Sequence, residues 1–336
     1  MEKNVIYILF LRIIQSFLTL FGLIVIIFIL SRILPGNPAI AILGPKATPE
    51  NIQKVISEWG LDKSYLEQFM IYISMLLRGN LGEAYVMGYS VNKLISERIT
   101  ASFELVIAAF ILSSIIGLPL GIYSAKNADS KKDVLISSFA VLGLSFPTIL
   151  TGIILMVFFG LHLGFPVGGR INPIYSIKAY TGFMLIDTLL NGNFSAFIDA
   201  TLRIIPPALA LAIPLSGLLM RLTRNSMLEV MSQDFIRTAR MKRLPEKIIL
   251  YKHVLRNALI PITTVMGLYF AVIVTGDIIV ETIFGWPGIG RLVYEAVMLR
   301  DYMVIQGTVL VISVIYILVN LAVDILYIYL DPRIRR

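Results

Sequence analysis

Residues 13–31, IIQSFLTLFGLIVIIFILS, form a run of 19 residues without a charged side chain. A helix needs about 20 mostly apolar residues to cross a hydrocarbon core of about 30 Å, so this run is long enough to span a membrane. Arg32 follows, then LPGNP from residue 34, without the small-residue cleavage site of a signal peptide. We therefore expect a retained membrane helix.

The rest of the chain has the same character. Of its 336 residues, 57% are hydrophobic and 15% are charged, whereas about a quarter of the residues in a soluble domain carry charge. Six apolar stretches are long enough to span: 13–34, 103–124, 134–163, 206–223, 259–283 and 304–330. The sequence thus predicts an all-α integral membrane protein with six transmembrane helices. The lack of cysteine excludes disulfides and thiolate sites.

The basic residues predict an orientation. They concentrate in the loop 125–133, in the tail 331–336 and in segment 221–258, which has nine Lys or Arg against three acids. Segment 35–102 is balanced, with six of each sign, and 164–205 is poor in charge. The positive-inside rule then puts both termini and the basic segments in the cytoplasm, with the chain in the plasma membrane. This topology accounts for the net charge of +8 without nucleic acid.

The predicted spans divide the chain into parts. These are an N-terminal helix (1–34), an extracellular helical insert (35–102), a core (103–330) that includes a cytoplasmic loop (224–258), and a tail (331–336). In the insert, Thr48 and Pro49 predict the start of one helix, and SYLEQFMIYISMLLRG predicts a second. NLGEAYVMGYS reads as a loop, and VNKLISERI as a short amphipathic helix before the second span. The insert either packs on the core or forms a docking surface for an extracellular partner.

Prolines and acids mark further positions in the spans. The third and fourth spans contain Pro147, Pro206, Pro207 and Pro214. Such breaks suit a moving transport path, although prolines are tolerated in membrane helices generally. Asp277 and Glu281, one helical turn apart near the outward end of the fifth span, either pack at an interface or line a translocation cavity. Asp324, near the inner surface, is expected to pair with a nearby base.

No motif indicates catalysis by this chain. It contains no phosphate-binding loop, dinucleotide fingerprint, nucleophile elbow or HExxH sequence. His162 and His253 lack companions at ligand spacing. We expect no enzymatic activity and no metal or cofactor bound by the chain itself.

The basic stretch 237–261, RTARMKRLPEKIILYKHVLRNALIP, separates the fourth and fifth spans. FIRTARMKR predicts one helix, LPEKI a turn that Pro245 can open, and ILYKHVLRNALIP a second helix. In the second helix an apolar stripe is expected at Ile248, Ile249, Tyr251, Val254, Leu255 and Leu259. An interfacial helix attracted to anionic lipid and a rigid element that docks a soluble partner both remain open, while topology disfavours nucleic-acid binding.

Several motifs resemble one family of transporters. DFIRTARMKRLPEKIILYKHVLRNALIP is similar to the EAA-type coupling loop of bacterial and archaeal ABC-importer permeases. LPGNPA, GLDKSYLEQF, RGNLGEAY, GLSFPTI, VETIFGWPGIGRLVYEAVMLRDYMVIQG and DILYIYLDPRIR resemble the dipeptide/oligopeptide (and nickel) permease family. The long insert after the first span resembles that of the B-type subunit. Where the family usually has glycine in RTARAKG, this chain has Arg243, which either stays helical or adopts a strained turn.

The resemblance implies the type I importer permease fold, with a cytoplasmic coupling helix. It implies a second homologous permease, two ATPase subunits that hold ATP and Mg²⁺, and an external solute-binding protein. The residues that match the ATPase-docking tip are Arg237, Thr238, Ala239, Arg240, Arg243, Leu244, Pro245 and Glu246. Peptides are the first expectation for the substrate, and oligosaccharides or nickel chelates the alternative. An ATP-independent secondary transporter is disfavoured because the sequence has no convincing inverted repeat and its intramembrane acids are peripheral.

Overall fold

The computed structural model describes residues 2–33, 38–43, 47–59, 61–84 and 86–330. Helices dominate these ranges, as predicted. They are α1 (Glu2–Ile33), α2 (Pro38–Leu43), α3 (Pro49–Trp59), α4 (Tyr65–Leu77), α5 (Val91–Lys126), α6 (Lys131–Ser145), α7 (Thr148–Val157), α8 (Met184–Leu190), α9 (Phe194–Met231), α10 (Asp234–Met241), α11 (Glu246–Ile248), α12 (Arg256–Val274), α13 (Ile278–Ile283), α14 (Ile289–Leu299) and α15 (Tyr302–Leu330). Two π-helical segments, Phe158–His162 and Ile249–Leu255, follow α7 and α11. The tail 331–336 and residues 34–37 of LPGNPA lie outside the described residues.

The predicted spans correspond to five long helices and one bent pair within the described ranges. The long helices contain the candidate spans Phe10–Ile29, Val91–Lys126, Phe194–Met231, Glu246–Val274 and Tyr302–Ile325. The third predicted span, 134–163, corresponds to α6 and α7 with its π-helical extension. The helix axis bends by 102° between the two halves. VNKLISERI is not a separate helix, because α5 runs through it into the second span without a break.

The bend between α6 and α7 lies at Pro147. Phe146 is extended, with ψ of 126°, and Pro147 immediately precedes α7. A residue before proline is forced out of the helical region by the pyrrolidine ring, so α6 has to end there. The prolines of the fourth span behave differently, since α9 continues through Pro206, Pro207 and Pro214 as one helix.

The fifth span ends earlier than the predicted 259–283. Helix α12 ends at Val274, and Gly276 adopts a positive φ of 89° that favours glycine. The side chain of Asp277 then caps a new helix, α13, by accepting a hydrogen bond from the Val280 backbone N–H at 2.8 Å. Asp277 and Glu281 therefore belong to a short helix beyond the spanning helix, and the prediction that they lie inside the fifth span is wrong.

The insert contains the two predicted helices. Thr48 Oγ1 accepts a hydrogen bond from the Asn51 N–H at the start of α3, and Ser64 and Glu67 form a reciprocal capping box at the start of α4. NLGEAYVMGYS is not entirely a loop, because it contains the antiparallel strands β1 (Glu83–Ala84) and β2 (Tyr89–Ser90).

The insert packs onto the core through apolar and polar contacts. Val55, Tyr72 and Ala84 share one buried cluster with Leu292 and Met303 of α14 and α15. Asp301, fully buried, accepts hydrogen bonds from two backbone N–H groups of the hairpin turn, at 3.0 and 3.3 Å. The hairpin and α15 are therefore held together by a charge-assisted contact.

Helices α5 and α9 run parallel and in close contact. A β-carbon at Gly117 would lie 2.7 Å from the β-carbon of Leu219, and one at Gly121 would lie 2.6 Å from that of Thr223. Glycines four residues apart let membrane helices approach to backbone contact. The sequence carries this signal as GLPLG at residues 117–121.

The two terminal helices meet near their ends. Arg12 of α1 forms an ion pair with Asp324 of α15, with 3.3 Å between Nη1 and Oδ2. The prediction that Asp324 pairs with a base is confirmed. Since this contact lies two residues from the start of one span and one residue from the end of the other, both termini are at the same end of the bundle.

We predict that Gly121→Ala destabilises the protein by about 1–3 kcal/mol, because the added methyl group must push α5 away from α9. The thermal unfolding midpoint of the purified protein measures the effect. Gly22→Ala in α1 is the matched control, since no heavy atom lies within 4 Å of its added β-carbon. Equal midpoints for the two variants would contradict the close packing.

Candidate functional site

The candidate docking site is a helix–turn–helix unit between α9 and α12, here called the knuckle (residues 234–255). Its first helix, α10, confirms the helix predicted for FIRTARMKR. Ile236 and Ala239 lie on its inner face and are buried, whereas Thr238 and Arg240 on the outer face are exposed. Three-residue spacing of apolar positions explains why one face of this helix packs.

The turn after α10 occurs at Arg243. Its φ is 56°, in the left-handed region. The Arg243 N–H donates to the Arg240 carbonyl at 2.9 Å, and the Leu244 N–H donates to the Ala239 carbonyl at 3.4 Å. This is a Schellman motif, which usually places glycine where Arg243 stands. Of the two expectations for Arg243, the strained turn is the one observed.

The second helix begins earlier than predicted. Pro245 immediately precedes α11, so the turn ends there and does not extend through LPEKI. Residues Ile249–Leu255 then form a π-helix, which adds a residue to each turn and rotates the side chains. As a result Leu250 is buried, while Ile248 and Tyr251 of the predicted apolar stripe are exposed.

The knuckle is attached to the spans by one apolar cluster. Its buried members are Ala125, Met227, Val230, Ile236, Ala239, Ile249, Leu250, Val254, Ala258 and Ile262. They come from the last turn of α5, the end of α9, both arms of the knuckle and the start of α12. The knuckle is therefore a packed extension of the helix bundle.

Most of the residues predicted for the docking tip lie on the exposed surface of the knuckle. The exposed ones are Arg237, Thr238, Arg240, Arg243, Leu244, Pro245 and Glu246. Ala239 is the exception, because it is 7% exposed and packs in the apolar cluster. Arg240 Nη2 donates to Glu246 Oε1 at 2.9 Å and so links the two arms across the turn. Met241, 77% exposed, adds an apolar side chain to this surface.

A cleft of about 840 Å³ opens between α6 and α9. At one end of it, Arg224 donates two hydrogen bonds of 2.7 Å to Asp133, which also accepts from Ser124 Oγ. Val141 and Leu142 line the apolar part of the cleft. Pro147 itself is exposed at the junction of α6 and α7.

Glu281 is buried, with 1% of its surface exposed. Its carboxylate accepts hydrogen bonds from Ser102 Oγ at 2.6 Å and from the Arg291 backbone N–H at 2.9 Å. A β-carbon at Gly288 would lie 2.3–2.4 Å from this carboxyl group, so the glycine leaves the space that the side chain occupies. These contacts are those of packing between α5, α13 and α14. Burial raises the pKa of Glu281 to about 6.

The structure also contains a buried ion pair that the sequence analysis missed. Glu104 of α5 accepts hydrogen bonds from the Arg170 guanidinium and from the Leu185 N–H. Arg170 also donates to the Gly182 carbonyl at 2.8 Å, and its guanidinium lies 5.9 Å from the ring centre of Trp286. The available signal was an acid inside the predicted second span, which marks a paired or functional position.

We predict that Arg243→Gly strengthens the turn by about 0.5–1 kcal/mol. Relief of left-handed strain, roughly 1–2 kcal/mol, exceeds the extra chain entropy of glycine, about 0.5–1 kcal/mol. Amide hydrogen exchange across α10 should slow in this variant. Arg237→Gly, inside α10, should act oppositely by about 1 kcal/mol. Faster exchange in Arg243→Gly would show that the arginine is not strained.

We predict that Glu281 makes stability depend on pH. Because its folded pKa of about 6 exceeds the ordinary 4.5, its stabilising contribution is complete below pH 4.5 and is lost as the pH rises through 6. The loss amounts to about 2 kcal/mol. Unfolding free energies measured across this range should change less in Glu281→Gln than in the parent. Glu229→Gln, at an exposed carboxylate, should retain the parental profile.

Comparisons with known proteins agree on one family. The family model described as "Binding-protein-dependent transport system inner membrane component" matches residues 117–336, and its N-terminal companion matches residues 5–106. The di/tripeptide transport system permease protein DppB of Pseudomonas aeruginosa is 39% identical over 320 residues, with 94% of this chain and 95% of the relative covered. The dipeptide transport system permease protein DppB of Escherichia coli K12 is 38% identical over 323 residues, with the same coverage.

A similar fold occurs in solved structures. Two crystal forms of the MetNI methionine ABC transporter, both inward facing, match with TM-scores of 0.53 and 0.51 at 15% and 14% identity. Each match covers 71% of this chain and 96% of the transporter chain. The core therefore has the fold of a type I ABC importer permease. The chain belongs to the family of binding-protein-dependent transport system inner membrane components.

Proposed function

We propose that this chain is one of two transmembrane subunits of an ATP-driven importer of di- or oligopeptides. The support for peptides is the printed function of its relatives, which are permeases of dipeptide or di/tripeptide transport systems. The other transmembrane subunit would be a second, homologous permease. An external solute-binding protein would deliver the substrate to the pair.

The observation that carries the proposal is the attachment of the knuckle to the spans. Its second arm is the first part of a continuous helix of 29 residues, Glu246–Val274, which is about 44 Å long and includes the fifth span. Its first arm packs against the end of α9 through Ile236 and Ala239. Because packed interiors transmit displacement with little compression, a force on the tip would move α9 and α12 together. This is what coupling to an external motor requires.

The partner on the knuckle would be an ATPase subunit. ATP and Mg²⁺ would be held by two such subunits, and this chain would bind no cofactor itself. The exposed tip carries Arg237, Arg240 and Arg243, which suit an acidic groove on the partner. The knuckle and both termini would then lie in the cytoplasm, in agreement with the positive-inside rule.

The test asks whether Arg240 binds the ATPase directly or only stabilises the turn through its ion pair with Glu246. We predict that Arg240→Ala weakens ATPase association by about 2 kcal/mol, or roughly 30-fold, as truncation of an interface arginine does. The double exchange Arg240→Glu with Glu246→Arg keeps an opposite-charge pair at the turn but reverses its charges towards a partner. The double variant should associate with the ATPase as weakly as Arg240→Ala. It should also not restore peptide uptake in proteoliposomes that contain the partner subunits.

The control variant is Lys178→Ala, which removes an exposed positive charge between α7 and α8, outside the knuckle. It should leave ATPase association and uptake at the parental level. An exposed ion pair contributes only about 0–1 kcal/mol, so membrane insertion should remain normal in every variant. Full recovery of association in the double exchange would mean that the pair only shapes the turn, and would refute docking through Arg240.

A further inference from the structure

Helix α4 of the insert has an exposed apolar face. Leu66, Met70 and Leu77 are 73%, 64% and 84% exposed, and Ile73 lies between them, half-buried. Their spacing of four, three and four residues aligns them along one side of the helix. An exposed stripe of large apolar side chains on an ordered helix marks contact with lipid or another protein.

A neighbouring side of α4 packs against α1. The ring of Phe69 lies edge-on to Phe21 and to Phe28, with centroid distances of 6.3 and 5.1 Å. Tyr72 contacts Phe28, with its centroid 6.0 Å away. Since Phe28 and Tyr72 are buried, this is a firm contact that sets the position of α4 along α1.

That position lies within the membrane-spanning part of α1. The span covers Phe10–Ile29, so Phe21 and Phe28 lie about 12 Å and about 2 Å inside the end from which the insert leaves. Phe69 contacts both and therefore lies between these depths. Helices in the membrane interface bury their apolar face by about 5–10 Å, a depth that falls between those of Phe28 and Phe21.

The polar groups of α4 fit a helix that lies along the membrane surface. Glu67 and Ser74 form a third side, between the apolar stripe and the packed face. Lys63 and Arg78 are exposed just beyond the two ends. The helix has 13 residues, about 20 Å, too short to cross a hydrocarbon core of about 30 Å. With charge at both ends, it fits parallel to the surface, where lysine and arginine reach the headgroups.

The apolar stripe continues the lipid-facing surface of α1. Phe17, Leu18 and Phe21 of the span are 66%, 60% and 45% exposed, and Phe21 is also the residue that Phe69 contacts. We infer that α4 is an interfacial membrane anchor, whose stripe of Leu66, Met70, Ile73 and Leu77 lies among the acyl chains of the leaflet on the side of the insert. The bilayer then fixes the height and tilt of the insert before any protein partner binds it.

Spin labels can test this assignment because the chain contains no cysteine. The full chain, reconstituted in phospholipid nanodiscs, would carry single labels at Met70→Cys or Leu77→Cys. Oxygen concentrates in the bilayer and a water-soluble nickel chelate is excluded from it. We predict that relaxation of both labels by oxygen exceeds relaxation by the chelate several-fold, with a ratio similar to that of Phe17→Cys on α1.

Ser74→Cys, on the polar side of the same helix, is the matched control and should respond mainly to the nickel chelate. Two labelled positions on the stripe protect the test against one variant that folds poorly. Labels at Met70 and Leu77 that respond like Ser74 would show that the stripe faces water. Labels protected from both reagents would show that protein covers it. Either result would overturn the assignment to lipid, and neither bears on docking at the knuckle.

Discussion

At Gly117 and Gly121, α5 approaches α9 so closely that no β-carbon fits between them. Helix α5 links this contact to two sites. Near its C-terminal end it contributes Ala125 to the cluster that holds the knuckle. Nearer its N-terminal end it contributes Ser102 to the Glu281 site and Glu104 to the ion pair with Arg170. Since α5 and α9 pack as one unit, a shift of either end must be shared by the pair or absorbed elsewhere.

Two breaks in the helices lie beside this unit. The chain leaves helical geometry at Pro147 between α6 and α7 and at Gly276 between α12 and α13. Helix α6 is held against α9 near both of its ends, since Asp133 pairs with Arg224 and a β-carbon at Gly143 would lie 3.3 Å from the backbone of α9. Both breaks lie between the end of one helix and the start of the next. Hinges commonly lie at such element ends.

The sequence predicts elements better than their geometry. Apolar run length is sufficient to locate the spans, because a helix is the structure that satisfies the backbone of a single segment in lipid. It does not reveal which proline bends a helix: Pro147 does, whereas Pro214 in α9 does not. That outcome depends on whether neighbouring groups satisfy the freed carbonyls, which is a tertiary property.

In the knuckle, too, the sequence predicts the helices but not their detailed geometry. Its helices and its exposed basic residues follow from amphipathic spacing and charge. The π-helical turn at Ile249–Leu255 has no comparable sequence signal, and it exchanges Tyr251 for Leu250 on the buried face. Glu104 was missed for a different reason. Glu104 and Arg170 are 66 residues apart, and only the packing of the loop after α7 against α5 brings them together.

The distribution of ion pairs separates structural charge from charge available to a partner. Near the spans, three acids are paired with bases: Glu104 with Arg170, Asp133 with Arg224, and Asp324 with Arg12. Desolvation makes an unpaired charge costly there, so these pairs maintain the fold. On the knuckle, in the part of the chain that the structure describes, Lys242, Lys247 and Lys252 are exposed and form no ion pair. Because water solvates them cheaply, their charge remains free for an acidic surface, which a count of the net charge cannot reveal.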